Sequence, residues 1–79
     1  MELFYVNRFG RRMNRMNSVY DVMQLLKRFG IYVYTKDRLA DLEIMEDEVR
    51  ELYKMQMIES KDFQIAILLL RQEQSNSKI

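Results

Sequence analysis

From Ser18 onward the apolar residues fall at three- and four-residue intervals. Val19, Val22, Met23, Leu26 and Phe29 make one such stripe, which gathers side chains on a single face of an α-helix. Ser18 is a suitable N-cap, with Asp21 three positions on to complete a capping box. Lys27 and Arg28 suit the negative end of the helix dipole, and Gly30 supplies the left-handed residue that stops the helix. The pattern predicts a first helix over about 19–29.

A second stripe runs through Leu39, Leu42, Met45, Val49, Leu52 and Tyr53, with Asp41, Glu43, Glu46, Asp47, Glu48, Arg50 and Glu51 on the opposite face. Thr35 or Asp37 caps this helix, which is expected over about 37–55. Met57 to Ser60 reads as a short turn, with Ser60 as the N-cap and Asp62 in the first turn of a third helix over about 61–72. Its stripe is Phe63, Ala66, Ile67 and Leu70, but Ile65, Leu68 and Leu69 make it apolar almost all round. Such a helix is either central to a bundle or covered by another chain. The polar run from Gln72 to Lys78 is expected to fray.

Between the first two helices, Ile31-Tyr32-Val33-Tyr34 favours extension. With no second strand to pair with, it is read as an extended connector, one side packed and the other exposed. The short link between the second and third helices makes them antiparallel neighbours, with the first lying across them. The fold class is all-α, a small three-helix bundle spanning 16–74, with 75–79 as a flexible tail.

Composition narrows the chemistry. There is no His, Cys, Trp or Pro in the 79 residues. That removes the usual zinc ligands, thiol nucleophiles, His-dependent triads and disulfides. Glu43, Asp47 and Glu51 stand one turn apart, yet opposite the apolar stripe and with no His beside them. Neither a metal site, nor another cofactor, nor acid–base catalysis is expected of them, and no enzyme activity of the chain. The seven methionines are expected mainly as core filling, with Met55 and Met57 able to form an adaptable contact surface. The opening MELFYVNRFGRR sets apolar residues before its arginines, the reverse of a secretory signal. The longest apolar run, Ile65 to Leu70, is well short of the roughly 18 residues of a membrane span. A cytoplasmic protein with no membrane partner is the expectation.

The net charge of +1 hides two opposed halves. Residues 1–38 carry eight Lys/Arg against three Asp/Glu, a balance of +5; residues 39–79 carry five against nine, a balance of −4. Cations and rings are densest between Lys27 and Arg38, where Phe29, Tyr32 and Tyr34 lie among Lys27, Arg28, Lys36 and Arg38. Single-stranded nucleic acid, RNA or DNA, is bound by cations that track its phosphates and aromatic faces on which its bases stack. Tyr32 and Tyr34 fall on one side of an extended segment and are the candidates for stacking. Lys27, Arg28, Lys36 and Arg38 are the candidates for phosphate contacts, together with the N–H groups at the start of the second helix. A purely structural account competes: Lys27 and Arg28 serve the helix dipole, Phe29 is core, the tyrosines cap the bundle, and Arg38 pairs with Asp37 or Asp41. The other candidate surface is Ile65, Leu68 and Leu69, which would make a homo-oligomer contact or hold a different protein partner.

Tyr20-Asp21-Val22, Leu25-Leu26-Lys27 and Phe29-Gly30, followed by Tyr34, Asp37-Arg38, Glu43, Met45, Glu48 and Leu52-Tyr53, resemble the YqgQ-like family of small bacterial proteins over residues 16–71. The resemblance implies a compact three-helix fold, and single-stranded nucleic-acid binding has been suggested for the family; it supplies no enzyme activity and no established partner. Leu52 to Phe63 is also similar to the helical hairpin of short bacterial oligomerisation modules. Residues 1–15 depart from the family pattern and are read as an N-terminal extension. Arg11-Arg12 is encodable by two AGG codons ahead of Met16, so a ribosome-binding site translated from an upstream start would account for it. Residues 16–79 alone carry nine Lys/Arg against eleven Asp/Glu, a balance of −2.

Overall fold

A computed structural model describes residues 16–76 and contains three helices, α1 (Val19–Arg28), α2 (Arg38–Lys54) and α3 (Ser60–Asn76). The described residues form an all-α three-helix bundle, as the periodicity predicts. The expected extension at 1–15 and most of the expected tail lie outside the described residues.

The end of α1 follows its sequence signal. Gly30 has φ +79°, Ile31 N–H donates to the Leu26 carbonyl, and Gly30 N–H donates to that of Lys27. These two bonds make a Schellman motif. The start of α1 departs from expectation. Ser18 makes no side-chain cap, and the Asp21 carboxylate reaches past it to accept from the Asn17 N–H at 2.8 Å. The reciprocal capping box is therefore not formed, and only the Asp21 half of it remains, moved to Asn17.

At α2 the cap is Asp37, whose Oδ1 accepts from the N–H groups of Leu39 and Ala40. Its far end repeats the Schellman pattern, with Met57 N–H on the Leu52 carbonyl and Gln56 N–H on that of Tyr53. Gln56 holds the left-handed position there at φ 60°, where an L side chain is disfavoured. In the link that follows, Ile58 is not merely a turn residue but is buried in the core, and Ser60 is the first helical residue of α3 instead of its cap.

α2 and α3 share the largest interface, and α1 packs across both. Their antiparallel register shows in three contacts: Arg38 with Glu73 at 3.3 Å, Glu46 with Arg71 at 3.1 Å, and Tyr53 stacked on Phe63 with centroids 4.3 Å apart. Val22, Leu25, Leu26, Leu42, Met45, Val49, Ala66 and Leu70 are fully buried. Leu25, off the expected first stripe, is among them, while Met23 and Phe29 are half-buried against the same cluster.

The polar end of α3 does not unravel at Gln72: the helix continues through Asn76. Gln74 donates to Glu46 at 2.9 Å, and Glu73 meets Arg38, so the last turns of α3 up to Gln74 are tied to α2. Glu46, expected on the exposed face, accepts from Arg50, Arg71 and Gln74, and its side chain is only 13% exposed. Burial pushes its carboxyl up, but the hydrogen bonds from Arg50, Gln74 and Arg71, with the Arg71 charge, outweigh that and hold it at about 2 against an ordinary 4.5. Among the described residues no helix is long and apolar enough to cross a membrane.

Candidate nucleic-acid interface

The connector between α1 and α2 alternates as its sequence suggests. Ile31 and Val33 pack against the core, whereas Tyr32 and Tyr34 are 73% and 77% exposed. Burying the two aliphatic side chains removes apolar surface from water and fixes the segment. The tyrosines, at alternate positions, are then turned outward.

Just after them the chain makes a tight corner. The Asp41 Oδ1 accepts from both the N–H and the hydroxyl of Thr35, each at 2.7 Å, and the Thr35 hydroxyl accepts from Asp37 N–H at 3.2 Å. Lys36, at the apex, is exposed and has φ 72°, a conformation that L residues rarely adopt. The corner thus presents a lysine beside two exposed rings.

Two adjoining hollows lie along this edge. One, of about 210 Å³, is lined by Met23, Leu26, Lys27, Ile31, Tyr32, Val33, Tyr34 and Met45. The other, of about 510 Å³, shares Met23, Val33, Tyr34 and Met45 and adds Lys36, Arg38 and Asp41. The fold therefore gathers Lys27, Tyr32, Tyr34, Lys36 and Arg38 along one groove. Arg28, in the same last turn of α1, is exposed but lines neither hollow.

Two details correct the expected chemistry. Arg38 pairs with Glu73 of α3, not with Asp37 or Asp41. The Leu39 and Ala40 N–H groups at the start of α2 are not open to a phosphate, because the Asp37 carboxylate already accepts from them. The anion affinity of a helix start is here satisfied from within the chain. The Asp41–Thr35 link went unseen in the sequence, since Asp41 read as one more acid on a solvated face.

On α3, Ile65 and Leu69 are half-buried against the domain's own core, and Leu68 is 57% exposed. Internal packing accounts for much of the apolar character of that helix. Among the described residues, no three His, Cys, Asp or Glu side chains gather as a cation cage.

Fold, helix order and edge together define a small three-helix protein of one recognisable class. A model of the YqgQ-like family matches residues 16–76, and the chain belongs to that family. The "Uncharacterized protein YqgQ" of Bacillus subtilis (strain 168) is 48% identical to it over 63 residues, which span 80% of this chain and 89% of that relative.

Proposed function

We propose that the chain is a small, cytoplasmic, non-enzymatic protein that binds single-stranded nucleic acid along the 27–38 edge. Tyr32 and Tyr34 offer faces for bases, and Lys27, Lys36 and Arg38 take the phosphates. What supports this is one observation: the inward packing of Ile31 and Val33 leaves two tyrosines exposed on a groove that also carries three cations. A base stacked on an aromatic ring contributes about 1–3 kcal/mol, and strands carry phosphates at a spacing that separated cations can follow.

Fluorescence anisotropy of a labelled single-stranded oligonucleotide, titrated at low and at physiological salt, tests the proposal. Binding that weakens with salt, and that falls about tenfold or more in Tyr32→Ala/Lys36→Ala, is the expected result. Unchanged affinity in that variant places the site elsewhere, and no binding at low salt removes the proposal.

The alternative is a protein-interaction module that uses Ile65, Leu68 and Leu69. Its support is the exposure of Leu68. It predicts a self-associating chain that Leu68→Glu turns into a folded monomer, as read by sedimentation.

A further inference from the structure

Surface stacking on Tyr32 and Tyr34 does not use the cleft that lies between them and the core. The smaller hollow has Leu26 and Met45 as its buried floor and Met23 as a half-buried wall, with the two tyrosines at its rim. Pockets for drug-sized ligands run to about 300–1,000 Å³. At about 210 Å³ this one suits a single flat heterocycle and little more. Thioethers are polarisable and make favourable contacts with aromatic rings, so the half-buried Met23 forms a suitable surface for a planar base, with the buried Met45 beneath it.

Cations stand on two sides of the apolar cleft, and one of them, Arg38, is shared with Glu73 at 3.3 Å. Lys27 stands at the smaller hollow, while Lys36 and Arg38 stand at the larger one that continues from it. Among the described residues Asp41 is the one carboxylate lining either hollow, and its Oδ1 accepts from the Thr35 N–H and hydroxyl.

We propose that the cleft seats one unpaired nucleobase against Met23 and Met45, with the strand's flanking phosphates on Lys27 to one side and on Lys36 and Arg38 to the other. This rests on the nucleic-acid function proposed above and goes beyond it, because recognition becomes insertion of a single base instead of stacking on an open surface. A base held in a duplex is not available for insertion, so duplex of the same sequence binds more weakly than the single strand.

The test uses the full chain carrying ¹³C-methyl methionine, titrated with a short oligodeoxyadenylate. Insertion predicts direct nuclear Overhauser contacts from adenine protons to the Met23 and Met45 methyl groups, with ring-current shifts that follow the binding curve. Met55 and Met57, at the α2–α3 link, stay unshifted. Val33→Trp fills the cleft while keeping both tyrosines and all three cations, and it is expected to lower affinity about tenfold, the order of one lost stack. Should that variant fail to fold, the methyl contacts alone decide. Binding that perturbs the Tyr32 and Tyr34 rings but makes no contact with the Met23 and Met45 methyls overturns insertion and leaves the nucleic-acid function standing. No binding at all overturns both.

Discussion

At the seam between α2 and α3, Arg50, Arg71 and Gln74 converge on Glu46, and Tyr53 lies flat on Phe63 with only 8° between the ring planes. Along the 27–38 edge the same kinds of residue face outward. Among the described residues Lys27 and Lys36 form no ion pair, and Tyr32 and Tyr34 have no stacked ring. Cations and aromatic rings thus hold the fold together in one region and face solvent in the other. Residue type does not separate the two; the presence of an internal partner does. Arg38 stands between them, lining the groove while paired to Glu73 across the seam.

The largest effect on stability is expected at the seam. Glu46→Ala removes an acceptor shared by two guanidinium groups and an amide, and should cost about 2 kcal/mol, since hydrogen bonds to charged groups are worth about 1.5–3 and both arginines are partly exposed. Chemical denaturation measures it. The Glu46 carboxyl is held at about 2, below its ordinary 4.5, so its contribution is complete above about pH 4.5 and is lost as pH falls toward 2. Thermal midpoints across that window should fall less in Glu46→Gln than in the unsubstituted chain. An equal fall in both would show that the seam does not depend on this charge.

Glu73→Gln probes the residue between the regions. It frees Arg38 from its partner, so affinity for a single strand should rise a few-fold while stability changes by about 0.5 kcal/mol, as surface ion pairs usually do. Weaker binding would mean that Glu73 positions Arg38 for the ligand instead of competing for it. A smaller effect is expected at the α2–α3 link. Gln56→Gly relieves the left-handed backbone at φ 60° and should stabilise by up to about 1 kcal/mol, with no change in binding. A loss of stability would show that the Gln56 side chain makes a contribution larger than the strain.

The helices were legible because each buries a stripe whose period is written locally, and Gly30 marks the end of α1 as a local signal. The alternation in Ile31-Tyr32-Val33-Tyr34 was legible for the same reason, and with it the exposure of the two tyrosines. What escaped depends on residues far apart in the chain. Gln74 keeps the end of α3 helical through Glu46, 28 positions away, and a polar tail without such a partner looks identical in sequence. Gln56 carries no sign of its left-handed backbone, because a Schellman ending normally advertises itself with Gly or Asn. The Thr35–Asp41 corner escaped because a side chain that ties back to a loop reads as surface charge until the loop's path is known.

The binding proposed for the 27–38 edge depends on location and not on net charge. Two variants with the same charge loss separate these: Lys27→Gln/Lys36→Gln at the edge and Arg50→Gln/Arg71→Gln at the seam. Their affinities for one labelled single-stranded oligonucleotide are measured across a salt series at a temperature where both are folded. The expected result is a marked loss for the edge variant, with a salt slope shallower by about 0.7 for each phosphate contact removed, and near-unchanged affinity for the seam variant. Equal losses in the two would contradict the claim and reduce the binding to general electrostatic attraction.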